Sequence, residues 1–255
     1  MKIRSILEKI SKREIELHRK GNIPFLLLAL KKSELSRSDL VNLISKRYQL
    51  ANMFEGFLKH IMQKIEESTM EEKLKNLFYQ AVYQNYLEET TVSNYGQPHW
   101  KGRKKLLIEL GINYNNWVKE IGSYEKPDKV CIAVKTILKQ MKRIVNKGPI
   151  EALTALWYYE NRISLSDELG DYYLILNNFE KMYPEFKKAK YTEEDALWHI
   201  ASHAEHDTYH SELAIKGLEG LDSNKENKKI IKNTCEEMRK YFYDFWGNLF
   251  EINLR

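Results

Sequence analysis

Four of the seven histidines of this chain fall in the stretch Trp198–Leu213, WHIASHAEHDTYHSEL, at His199, His203, His206 and His210, with Asp207 among them. On a helix advancing about 100° per residue, His203, Asp207 and His210 fall within roughly 60° of arc. A carboxylate between two imidazoles on one helical face suits a divalent transition metal. The competing reading is a solvated polar stripe on a surface helix. Leu197, Trp198, Ile200, Ala201 and Ala204 speak against it, because they make the rest of the segment apolar. His199 and His206 share the broad polar face, so the helix alone leaves open which imidazoles bind.

Three side chains from one helix cannot fill the shells of two metals, so further donors must come from other segments. Glu160 closes the apolar run ALTALWYYE, four residues past Leu156 and seven past Leu153, and therefore faces inward with them. A lone buried carboxylate costs several kcal/mol unless it is paired or ligates a metal. Its other candidate partner is Arg162 or a lysine. Glu88 and Glu89 end a helical segment before the loop SNYGQPH, and His99 follows Pro98. An acid at a helix end and an imidazole opening the next element can converge on one ion, although Glu pairs at helix ends are commonly solvated. Other metal signatures are missing. There is no pair of Glu-x-x-His motifs on separate helices, no His-Glu-x-x-His and no Pro-Cys-x-x-Cys deaminase pattern.

The elements that must carry these residues read as helices from end to end, with no strand-like alternation. Periodicity predicts helices over 3–19, 37–66, 70–91, 100–110, 114–121, 129–146, 150–164 and 229–250, with a looser stretch over 166–189 interrupted at Pro184. Ser36 with Asp39 forms an imperfect capping box. Gly111 takes a C′ position. Thr192 is expected to cap the helix bearing the histidines, which runs to about Leu218. The helix 150–164 is apolar enough to lie near the middle of a bundle. The fold expected is an all-α, single-domain bundle of seven to nine helices covering 1–255, with a metal-binding core at about 70–215.

Composition narrows the classes. A net charge of +5 with acids mixed throughout makes no case for nucleic acid. Cys131 and Cys235 are far apart and form no CxxC, which fits a reducing compartment without a disulfide framework. The N-terminal stretch lacks the apolar core of a secretory signal. The longest apolar run, Ile23–Leu30, is too short to span a bilayer. A cytoplasmic protein with no membrane partner is expected.

Three signatures in this order resemble the haem-oxygenase-like di-metal oxidases and oxygenases. That family shares a seven-helix scaffold with TenA-type thiaminases and the pyrroloquinoline quinone synthase. The first signature is Asn85-x-x-x-Glu89, a loop, His99, and a stretch ending in Leu110-Gly111. The second is the apolar helix ending at Glu160. The third is His203-x-x-x-Asp207-x-x-His210. Together they span about residues 20–220. The segment after Glu160 reads NRISLSDEL, where the family has a proline-containing turn.

The resemblance implies six metal ligands: Glu89, His99, Glu160, His203, Asp207 and His210, with Asn85 favouring Glu89 over Glu88. It implies two irons, or iron with manganese, and dioxygen as co-substrate. The reaction implied is oxidation or oxygenation of a small organic substrate (an amino acid, fatty acid or amine-bearing metabolite) through a peroxo-bridged diferric species. An external electron donor and a homodimer are compatible partners. His199 or His206 would hold a ligand's orientation, and Tyr86, Trp157, Tyr158, Tyr159 and Trp198 are either cavity lining or core. Lys101, Arg103, Lys104 and Lys105 beside His99 suit a carboxylate-bearing substrate or a solvated face equally. Two alternatives stand beside this reading: a metal-free TenA-like hydrolase using a nucleophilic cysteine, and a non-enzymatic helical interaction protein.

Overall fold

A computed structural model of the protein describes residues 2–91, 97–163, 170–206 and 208–249, with the backbone alone at Phe25, Ile163, Glu205, His206 and Thr208. Among the described residues there are helices and turns and no strand; one isolated bridge joins Gly122 and Pro127. In chain order the helices are α1 (Ile3–Arg19), α2 (Phe25–Lys32), α3 (Arg37–Asn52), α4 (Phe54–Glu66), α5 (Glu72–Thr90), α6 (His99–Glu109) and α7 (Tyr114–Ile121). They continue with α8 (Ile132–Val145), α9 (Pro149–Ile163), α10 (Asp171–Met182), a 3-10 turn at Pro184–Phe186, α11 (Trp198–His206), α12 (Thr208–Glu219) and α13 (Lys225–Asn248). The all-α class expected from periodicity is the class observed.

Local chemistry explains most helix ends. The Ser36 side chain accepts from the Asp39 N–H, and Asp39 Oδ2 accepts from the Ser36 N–H at 3.2 Å, so the capping box is complete. Asn113 and Asn224 cap α7 and α13 in the same way, each accepting from the N–H three residues on. Gly111, at φ 79°, ends α6 in a left-handed turn that lets the Ile112 N–H reach Leu107 O at 2.9 Å.

Two expectations are corrected. The helix expected over 37–66 divides at Met53, whose N–H bonds Leu50 O at 3.0 Å; this tighter three-residue closure ends α3 before α4 sets off. Thr192 does not open the histidine-bearing helix. Its N–H and hydroxyl both donate to Asp195 Oδ2 in a separate turn, and α11 starts at Trp198.

The centre of the bundle is α9, whose residues Ala152–Tyr159 are all buried, as its all-round apolarity requires. Helices α12 and α13 lie against α9, α12 also against α5, α5 against α4, and α10 against α11. Each fully buried Leu or Ile contributes about 1.5–3 kcal/mol, so this packing holds the polar side chains described next in place. Two glycines set helix separations. A Cβ on Gly102 of α6 would stand 2.6 Å from His199 Cβ of α11, and one on Gly217 of α12 would stand 2.8 Å from Leu153 Cδ2 of α9. Gly217 is seven residues from His210 and Leu153 seven from Glu160. The close approach thus lies on the faces that carry those two side chains.

Candidate metal centre

The last turns of α5 carry Asn85, Glu88 and Glu89, spaced so that all three face one way. All three are buried. The Asn85 amide donates to Ala81 O at 3.1 Å, and Asn85 Oδ1 has no partner among the described residues. Helix α6 brings His99 at its first position and Arg103 one turn later. Helix α9 brings Glu160, α11 brings His199 and His203, and α12 brings His210. All of these are buried.

Their contacts are specific. The His99 Nδ1–H donates to Glu89 Oε1 at 3.1 Å, and Arg103 donates to Glu89 Oε2 at 2.9 Å. Glu88 Oε2 accepts from His210 Nε2 at 2.7 Å and stands 4.0 Å from His99 Nε2. His210 Nδ1 faces Glu160 Oε2 at 3.8 Å. Tyr172 stacks on His203, ring centroids 4.9 Å apart. Tyr48 OH and His199 Nδ1 share a hydrogen bond of 3.1 Å. Asn85, Glu89, Arg103, Glu160, His203 and His210 are among the residues lining a cavity of about 10 Å³, room for roughly one water.

Burial and charge set the protonation states. Burial alone would raise Glu89, but Arg103 and then His99 hold its carboxyl far below the usual range. Burial likewise opposes ionisation of Glu88, and the His210, His99 and His203 imidazoles outweigh it and hold it low. Burial lowers His99, with His203 adding to the effect. It lowers His199 well below its ordinary value and His203 to about 4. Glu88 and Glu89 are thus held ionised and His99, His199 and His203 neutral, the protonation states that bind metal.

Of the six expected ligands, Glu89, Glu160, His203 and His210 line this cavity, and His99 lies beside it against Glu89 and His203. Asp207 lies outside the described residues, as does the His206 side chain. Glu88 is buried beside His210 and is not a solvated helix-end acid. Glu160 does not pair with Arg162, which turns to Glu14 and Asp171 at 3.4 and 3.2 Å. Two residues apart on one helix, Glu160 and Arg162 differ by about 200° and serve opposite sides.

Arg103 is not part of a solvated basic face. It is 5% exposed and turned inward, whereas Lys101 is exposed. Its spacing of four from His99 was the signal available for it. Tyr48 and Tyr172 had none, because they reach the site from distant elements. Tyr159 lines the cavity, Trp157 and Tyr158 are core, and Tyr86 is half-buried in a stack with Tyr83. Cys131 is the N-cap of α8 and Cys235 is buried in α13, where burial pushes its thiol up; neither lines the cavity.

The donor set fits a metal. Among the described residues three buried carboxylates, Glu88, Glu89 and Glu160, stand with four imidazoles and two guanidinia, Arg103 on Glu89 and Arg47 behind Tyr159 and Tyr172. Acid in excess of fixed positive charge inside a protein calls for a cation.

Solved structures with the same architecture are known. A CADD-like protein of unknown function from Nostoc punctiforme superposes with a TM-score of 0.70 at 14% identity, over 95% of this chain and 96% of that one. The chain has its fold. A TenA homologue from Pseudomonas syringae pv. tomato gives a TM-score of 0.67 at 10% identity, over 96% of this chain and 91% of its own. The TenA-like helical scaffold expected from the three signatures is therefore the scaffold observed, and at these identities the likeness extends to fold alone. No protein-family model matches the chain, and no curated protein matches it in sequence. Among the described residues no helix is long and apolar enough to cross a membrane.

Proposed function

We propose that this protein is a non-haem diiron oxidase or oxygenase acting on a small organic substrate. The observation that carries the reading is the meeting of Glu88, Glu89 and Glu160 with His99, His203 and His210 in the buried interior. These residues, with Asp207, would hold the metals. When bound there, a pair of ferrous ions would supply the reducing equivalents for dioxygen activation. The protein's own part is positional. Glu89, locked by Arg103, orients the His99 ring. Tyr172 covers one face of His203, and Phe54 stacked on Tyr159 closes the cavity wall and limits water. A homodimer and an external electron donor remain part of the proposal.

The test is loading. Chelator-treated protein titrated anaerobically with Fe(II) should take up about two equivalents, as carboxylate-bridged di-iron bundles do, and exposure to dioxygen should then produce transient visible absorption. Protein that takes up no iron ends the reading. The likeness to a TenA homologue supports a metal-free hydrolase equally at the level of fold. A cysteine nucleophile for it is missing from the described lining of the cavity. Activity that survives chelation and is lost on Cys131→Ala or Cys235→Ala would favour that second reading.

A further inference from the structure

Among the described residues, one group of side chains is close enough to hold an ion through three imidazoles: His99, His199 and His203, with one ring nitrogen of each within 4.8 Å of the others. His199 stands outside the six ligands implied by the resemblance. We infer that His199 is itself a metal ligand, making His99, His199 and His203 a three-imidazole subsite.

The argument starts from the hydrogens. An arginine can only donate, so the His199 Nε2 facing Arg103 at 3.5 Å carries the lone pair. Nδ1 then carries the hydrogen and donates to the Tyr48 hydroxyl oxygen at 3.1 Å. His99 repeats the pattern, its Nδ1–H held by Glu89. Ligating histidines characteristically give one ring N–H to an outer partner and present the other nitrogen to the metal. Two of the three imidazoles have one ring N–H held in this way, His199 by Tyr48 and His99 by Glu89, itself one of the proposed ligands, and both partners are buried. The 3.5 Å contact to Arg103 is at the outer limit of a hydrogen bond, so little is lost when Nε2 turns to a stronger acceptor of its lone pair. Gly102 supports the assignment. A Cβ there would stand 2.6 Å from the His199 Cβ, so its absence lets α6 approach α11 and brings His99 beside it.

The inference rests on the proposed metal centre, and the experiment separates the two. Chelator-treated full-length protein is titrated anaerobically with Co(II), whose visible bands respond to coordination number and to the replacement of one ligand by another. His199→Ala should weaken one binding step by about a hundredfold or more, beyond the 10–100-fold typical of an outer partner. It should also shift the Co(II) bands, and free imidazole should restore them. Tyr48→Phe should weaken binding by about tenfold with band positions kept. Should His199→Ala not fold, His199→Gln keeps volume and an N–H toward Tyr48 and should show the same band shift. Wild-type affinity and spectrum in the folded His199 variant overturn this inference alone. A wild-type protein that binds no Co(II) overturns it together with the proposed function.

Discussion

The interior holds two polar networks, and they are balanced differently. Around Arg162 a single guanidinium is closed in by Glu14 at 3.4 Å, Asp171 at 3.2 Å and His18 at 2.6 Å, with the Trp246 indole donating to Asp171 at 2.9 Å. His18 is neutral there, pushed down to about 2 by burial and then by Arg162. Both acids touch the guanidinium, burial pushes both carboxyls above the usual range so that a proton can offset the second acid, and α1, α9, α10 and α13 are tied together. Around Glu88, Glu89 and Glu160 the arrangement differs: Arg103 meets Glu89, Arg47 lies behind Tyr159 and Tyr172, and Glu88 and Glu160 face the His210 imidazole. A network that satisfies itself is a fastener. One whose ionised acids lie among neutral imidazoles is suited to a ligand of positive charge.

The sharpest way to break this comparison is to remove the cation from each network. Arg162→Met strands two buried carboxylates that nothing can replace, and should lower unfolding stability by about 3–5 kcal/mol, measured by chemical denaturation with and without Fe(II). Arg103→Met should destabilise the chelator-treated protein by a smaller amount, because His99 still supports Glu89, and added Fe(II) should recover much of the loss by binding the folded state. Equal recovery in both variants, or in neither, would show that the networks are not different in kind.

A geometric test comes next. Gly102→Ala forces a Cβ against His199 and should cost about 1–3 kcal/mol, with a drop in metal affinity larger than in stability. The matching change at Gly217 should cost a similar amount. An unaltered iron titration in folded Gly102→Ala protein would mean that the α6–α11 approach does not set the centre.

The pH dependence is milder. His203 titrates near 6.5 when unfolded and near 4 when folded. The unfolded chain therefore binds the extra proton in that window. Stability of chelator-treated protein should be full above about 6.5 and fall as pH drops toward 4. His99 and His199, lowered for the same reason, act in the same direction. A flat profile of melting temperature across the window removes the claim of neutral buried imidazoles. The smallest expected effect is on stability in Glu160→Gln. Removing an acid from the acid-rich network should leave the chelator-treated protein as stable as wild type or slightly more so, while iron uptake falls.

Much of this was legible in the residues. Periodicity, Ser36 with Asp39, and Gly111 predict helices and ends that the fold contains. The 3.6-residue repeat also puts His203 and His210 on one face and turns Glu160 inward with Leu153 and Leu156. Arg103 could have been read the same way, four residues from His99, yet it sits in a run of lysines that looks like a solvated face. The division at Met53 has no comparable local signal.

What the order of residues determined by itself is which side of each helix a side chain occupies, because backbone geometry repeats locally and needs no neighbour. Which partners meet is another matter. That Tyr48 holds His199, that Tyr172 covers His203, that Arg162 answers Glu14 and leaves Glu160 to His210, depends on how helices far apart in sequence cross. Those crossings are set by side-chain volumes and by two glycines at the contacts, and only in the packed bundle do they decide which acids lie beside a cation and which lie among imidazoles.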